Sequence, residues 1–249
     1  MLTRRHFNQL LLTGAGALLA RTARGEDPIN RFTVAQLKHG NGWNPRPTAL
    51  RRLLWELSKR TSIEVEADAR PIDPCDRTLF GLPLAYLAVD GALPPFAPCA
   101  QAALRSYLGN GGTLVVDGVN GGRGTPFEHS VRGALADVAN GELQPVPRDH
   151  VIYKSFYLLD GPAGRSAASP DLDALSVDNR LAIVVSHNDL GGAWARSNLG
   201  LWEFEVEPGG AQQRERAFRL GINLVMYALC LDYKEDQVHI PFILKKRRR

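Results

Sequence analysis

The sequence is poor in the residues that build metal and redox sites. Its 249 residues include three cysteines and six histidines. No CxxC pair and no Cys/His cluster has the spacing of a zinc site, so no cofactor and no metal is expected. Cys75 and Cys99 stand in proline-rich stretches and can pair in an oxidising compartment; Cys230, in the apolar run 224–231, reads as a core residue. There is also no apolar run of the roughly 20 residues that a membrane-spanning helix needs. Signatures of catalysis are missing as well. No Ser or Cys sits between glycines as in GxSxG, and in Ser186-His187-Asn188-Asp189 adjacent strand residues point to opposite faces. The segment 118–124 (GVNGGRG) follows a strand pattern but fits neither nucleotide fingerprint, and no Walker lysine is present.

What is present begins at the N-terminus. Thr3-Arg4-Arg5-His6-Phe7 is a paired-arginine region, followed at 10–20 by a short, weakly apolar stretch containing Thr13, Gly14 and Gly16. Ala23-x-Gly25 then offers small residues for cleavage before Glu26. These features predict a twin-arginine signal peptide over 1–25, a single α/β domain over 26–244 and a basic tail over 245–249. A periplasmic or otherwise exported location follows. The leader takes Arg4, Arg5, Arg21 and Arg24 out of the 30 basic residues, leaving 26 against 26 acidic ones. Lys245, Lys246, Arg247, Arg248 and Arg249 hold five of the remainder, so the body carries 21 basic and 26 acidic residues, a net −5. Nucleic-acid proteins carry basic charge as a patch on the folded domain, so nucleic acid is not an expected partner. The tail instead suits an acidic protein partner or an anionic membrane surface.

Helix and strand patterns alternate through the body. Strands are predicted at 32–38, 63–67, 82–89, 113–116 and 181–186, and a half-exposed edge strand at 202–206, where Trp202, Phe204 and Val206 alternate with glutamates. Helices are predicted after a Thr48 cap, at 98–108, after the capping box Thr125-Pro126-Phe127-Glu128, and at 212–231. The segment 140–179 reads as loop, with Tyr153 and Phe156 pinning HVIYKSFY (150–157) to the core. Apolar strands alternating with helices predict a three-layer α/β/α domain with a mostly parallel sheet.

Ligands of open parallel sheets bind beyond the carboxyl ends of the strands. Those ends read Lys38-His39-Gly40, Asp90-Gly91, Asp117-Gly118 and His187-Asn188-Asp189. Asp117, His187 and Asp189 are therefore the candidates for catalytic base or ligand. Lys38, Gly40, Trp43, Asp90, His150, Tyr153 and Asn188 are the candidates for ligand binding. Each also has a plain structural role open to it, because Asp and Asn after a strand commonly cap a helix or form a turn. A metal would have to draw on Asp117, His150 and His187, which lack any short helical spacing.

Several blocks, in order, carry a resemblance: 32–57, PVPRDHVIYKSFYLLDG (145–161), RLAIVVSHNDLGGAW (180–194), AFRLGINLVMYAL (217–229) and HIPFILKKRRR (239–249). Together they resemble the domain of unknown function 4159 family, whose LKxGxxWxPxP and PxDHxIYxxFY patterns match 37–47 and 147–157. The resemblance implies a flavodoxin-like domain related to class I glutamine amidotransferases, in exported or membrane-linked bacterial proteins. It also implies a strand ending in His-Gly where Asp90-Gly91 stands here. No cysteine occupies the amidotransferase nucleophile position. A non-catalytic binding or interaction module with a protein partner is therefore the expected function, and a hydrolase acting through the strand-end residues is the alternative.

Overall fold

The computed structural model describes residues 31–230; the expected leader and basic tail lie outside them. Within this range run β1 (Ala35–Leu37), α1 (Ala49–Arg60), β2 (Arg70–Ile72), β3 (Leu84–Val89), α2 (Pro98–Gly109), β4 (Thr113–Gly118) and α3 (Pro126–Ala136). Then come β5 (Gln144–Pro145), β6 (Asp173–Val177), β7 (Arg180–Ser186), α4 (Leu190–Trp194) and α5 (Gly210–Leu229). One seven-stranded sheet takes the order β2-β1-β3-β4-β7-β6-β5. β2, β1, β3, β4 and β7 are parallel, while β6 runs antiparallel to β7 and β5 antiparallel to β6.

β3, β4 and β7 are buried along their whole length. That explains their near-continuous apolar runs, because helices cover both faces of the sheet. Leu84, Tyr86 and Ala88 pack into one core with α1, α4 and α5, whereas Ala85, Leu87 and Val89 pack into a second core with α2 and α3. The α3 start is the capping box its sequence encodes. The Thr125 hydroxyl accepts from Glu128 N at 3.3 Å, and the Glu128 carboxylate accepts from Gly124 N at 2.7 Å. Cys75 and Cys99 form a disulfide across a Cα separation of 5.5 Å, which ties the loop after β2 to the first turn of α2. Cys230 is half-buried, just past the end of α5.

Four expectations are corrected. The run 63–67 makes a single bridge, Phe32 to Val65, and the edge strand is instead Arg70–Ile72, where an edge tolerates Pro71. Residues 203–206 form no strand. Phe204 lies under the Arg46 guanidinium at 3.8 Å and gives its carbonyl to Arg214, so α5 and the rim, not a neighbouring strand, hold this segment. The region 140–179 is not all loop, because it contains β5 and β6. β6 turns into β7 through Asp178-Asn179, both with positive φ, the two-residue hairpin turn for which Asp and Asn are suited. Thr48 precedes α1 but makes no side-chain cap; its hydroxyl donates to Glu203 at 3.0 Å.

Asn223 holds the 150–157 loop. From a fully buried position on α5 it accepts from Phe156 N and Tyr157 N and donates to the Ile152 and Tyr157 carbonyls. Tyr153 is buried, but Phe156 is 42% exposed, its ring edge-on to Tyr157 at 4.9 Å.

Candidate functional site

β1, β3, β4 and β7 are parallel, so their carboxyl ends share one rim. The structure brings several rim candidates together and gives most of them partners inside the protein. Asp117, at the end of β4, is wholly buried. One of its oxygens accepts from Leu190 N at 2.9 Å; the other accepts from Gly191 N at 2.8 Å and from the Tyr86 hydroxyl at 2.7 Å. Asp189 follows β7 with φ 53° and is also wholly buried. Its carboxylate accepts from Gly192 N at 2.9 Å and from Arg46 at 3.1 and 2.7 Å, and it is paired with Arg165 as well. Both carboxylates thus cap the first turn of α4, where exposed backbone N–H groups favour negative charge. The glycines of this turn are required by space. A Cβ on Gly191 would lie 2.8 Å from the Tyr86 hydroxyl, and one on Gly192 2.3 Å from the Asp189 carboxylate.

Burial and the neighbouring Asp189 charge push the Asp117 carboxyl up to about 6, despite its three donors. Burial works against the Arg46 guanidinium, but its bond to Asp189 and the charges of Asp189, Asp117 and Asp90 leave it raised. Arg46 therefore sits in the field of carboxylates from the ends of β3, β4 and β7. Tyr86 is held well above the usual phenol range by burial and by Asp117.

His187 is buried on the other side of the same rim. Its Nε2 lies 3.0 Å from Asp173 on β6, its Nδ1 has no hydrogen-bond partner, and its ring meets Phe127 edge-on at 5.6 Å. Asp173 keeps one unpartnered oxygen, and Arg132 lies 3.6 Å from the other. Burial would raise the Asp173 carboxyl, but the bond to His187 and nearby arginines hold it below the ordinary value.

Asn188 is also buried. It clamps Ser169 by accepting from its N–H at 2.8 Å and donating to its carbonyl at 2.9 Å. Beside it opens a cavity of about 420 Å³, between the loop at 162–170 and the start of α5; Ser166, Ser169, Gln212, Gln213 and Arg216 are among its walls.

The remaining candidates scatter. Asp90 is exposed and accepts from the Asn120 amide at 3.0 Å. Lys38 is exposed, Trp43 is half-buried, and Gly40 turns at φ 73° against Pro94. His150 is not on the rim. It caps the turn Val151–Tyr153 and packs 5.9 Å from Tyr227, whose hydroxyl accepts from Leu181 at the opposite end of β7. Burial lowers its pKa, partly opposed by Asp149. His150 is half-buried, and Tyr153 is buried. Asp117, His150 and His187 therefore do not converge, and no group of three or more His, Cys, Asp or Glu could hold a metal among the described residues. Sequence reasoning missed Tyr86, Arg46, Arg165 and Asp173. Arg46 lies inside the 37–47 block, but nothing in its neighbours marks it as the partner of a residue 143 positions away.

Fold and rim define an α/β domain in which Asp117 and Asp189 are internal caps and a mainly apolar cavity opens beside Asn188. Residues 33–229 match a family described as Domain of unknown function (DUF4159), and the chain belongs to that family. No curated protein matches it.

Proposed function

We propose that this chain is an exported, non-catalytic binding module on a flavodoxin-like domain. The parallel strands run 2-1-3-4-7, which parallels the 2-1-3-4-5 order of flavodoxin-like sheets. The paired-arginine leader supports export, and the Cys75–Cys99 disulfide suits an oxidising compartment. The observation that carries the binding reading is the cavity beside Asn188. It lies at a strand carboxyl end; its walls set the Ser166 hydroxyl and the Gln212 amide among Pro162, Pro170 and Pro208, with Arg216 held by Asp160 and Gln213 by backbone groups, and include no carboxylate, imidazole or thiol. Such walls recognise a small hydroxylated or anionic molecule by hydrogen bonds, while acid–base turnover needs a titratable group within reach.

Titrating the full chain with inorganic phosphate, succinate and glucose, read by two-dimensional NMR, tests this. At least one probe is expected to shift cavity resonances saturably and to be recovered unchanged. Ala167→Trp, at an exposed wall position, should abolish the shifts. Chemical conversion of a probe, or equal shifts in Ala167→Trp, would overturn the reading.

A hydrolase is the second reading, and the unpartnered Nδ1 of buried His187 is the observation that favours it, because such a nitrogen can act as a base once a conformational opening admits water to it. Any hydrolysis of p-nitrophenyl esters should then vanish in His187→Ala. Retained turnover would remove this reading.

A further inference from the structure

Among the described residues, four of the seven exposed large apolar side chains lie on one face: Trp55 at 46%, Leu199 at 88%, Leu201 at 66% and Trp202 at 42%. The face is built, not frayed. The turn at 197–201 is closed by Ser197 N donating to the Leu201 carbonyl at 2.8 Å and Gly200 N donating to the Ser197 carbonyl at 2.9 Å. Arg196 donates across it to the Gly200 carbonyl at 2.8 Å and bridges Trp202. Gly200 makes the reversal at φ 80°, a conformation that side chains rarely adopt. The turn thus holds two leucines out in water on an ordered support.

Cations surround the indoles. The Arg52 guanidinium lies 4.0 Å from the Trp55 ring and 5.8 Å from Trp202, Arg196 lies 4.8 Å over Trp202, and Lys59 Nζ is 5.8 Å from Trp55. Arg52 is ion-paired with Glu56, and Glu203 and Glu205 follow Trp202 and are exposed, so these cations are partly opposed. The tail adds Lys245, Lys246, Arg247, Arg248 and Arg249 to the chain's positive charge.

We propose that this face docks on an anionic lipid bilayer. Leu199 and Leu201 enter the acyl boundary, Trp55 and Trp202 sit at headgroup depth, and Lys59 and Arg196 meet lipid phosphates. A projecting aliphatic turn ringed by indoles and cations matches the polarity gradient of a bilayer surface. A protein partner would instead have to supply a matching pocket. Weak apolar insertion and a polybasic segment are each marginal alone, and two such signals together give stable attachment. This proposal goes beyond the cavity-binding reading and stands or falls separately from it.

The test is co-sedimentation of the full chain with vesicles of phosphatidylcholine plus phosphatidylglycerol, and with phosphatidylcholine alone. Binding is expected to the anionic vesicles and to fall at high salt. Leu199→Ser with Leu201→Ser, both at exposed positions, should weaken it about tenfold or more with the melting temperature unchanged. Deleting 245–249 should weaken it by a smaller, salt-dependent factor. Equal binding by the double-serine variant would overturn the proposal. So would binding to neither vesicle, or self-association in sedimentation velocity that needs the same two leucines while vesicles are ignored.

Discussion

At the scale of residues, Asp117 and Asp189 decide how the rim is read. Their positions were legible because polar groups follow apolar runs at the strand ends, and capping of the next helix was among the roles open to them, but the partners that complete those roles were not. Each role depends on partners far along the chain, such as Tyr86, Arg46 and Arg165, that no periodicity links to them. The carboxyl of Asp117 is raised to about 6, above its unfolded value near 3.8, so the folded state favours the proton. Its contribution to stability is full below the unfolded pKa and disappears as pH rises through about 6. Lowering the pH from 7 to 5 should therefore add about 1 kcal/mol from this group. His150, held low by burial, acts in the opposite sense over the same range, so the comparison must be differential. In urea unfolding, Asp117→Asn should lose this acid-side gain relative to wild type. It should also be less stable at pH 7 by about 1–3 kcal/mol, because an amide NH2 then faces backbone donors. Parallel pH profiles for the two proteins would show that Asp117 does not titrate in this way. Asp189→Ala should cost more, about 3–5 kcal/mol, by leaving Arg46 and Arg165 without their partner. A change below about 1 kcal/mol in the same unfolding assay would remove Asp189 as the pin between rim and α4.

Elements were legible where one local rule governs them. The α3 capping box and the apolar strands β3, β4 and β7 stand as written, because capping and burial are encoded within a few residues. Alternation at 202–206 imitated a strand: Val206 is buried in the core, Phe204 is only partly buried there beneath Arg46, and no neighbouring strand pairs with the segment. β6 was overlooked although Asp178-Asn179 between two apolar runs is a hairpin signal. α5 shows the limit of periodicity most clearly. Asn223 reads as an isolated polar residue in an apolar helix, yet its amide makes four bonds to the backbone of the 150–157 loop. Asn223→Leu should destabilise the domain by about 2–4 kcal/mol and speed amide exchange at 152–157 ahead of the rest of the protein. Uniform exchange across the domain would show that the loop does not depend on this anchor. Thr125→Ala should cost only about 1 kcal/mol in the same assay, since Glu128 still accepts from Gly124 N.

For the molecule as a whole, strand–helix alternation was enough to specify a mostly parallel sheet between helical layers. The antiparallel edge of β6 and β5 was not, since pairing direction depends on a turn and not on composition. The same scale joins compartment to covalent structure. If the paired-arginine segment acts as the proposed leader, the domain folds before transport, in a reducing compartment where the Cys75–Cys99 bridge is not maintained. The bridge closes a loop with a sequence separation of 24. By loop-closure entropy it adds about 3 kcal/mol, and on the proposed export route the domain would have to hold its fold without that contribution until it has crossed. In a Cys230→Ser background, wild-type leader should deliver protein whose two remaining cysteines resist alkylation until a reductant is added. Arg4→Lys with Arg5→Lys should leave the protein in the cytoplasm, folded by limited proteolysis, with both thiols open to alkylation. If the lysine variant still reaches the periplasm, the twin-arginine route is wrong. If the cytoplasmic form is unfolded instead, the disulfide is a condition of folding, and the order of folding before export has to be abandoned.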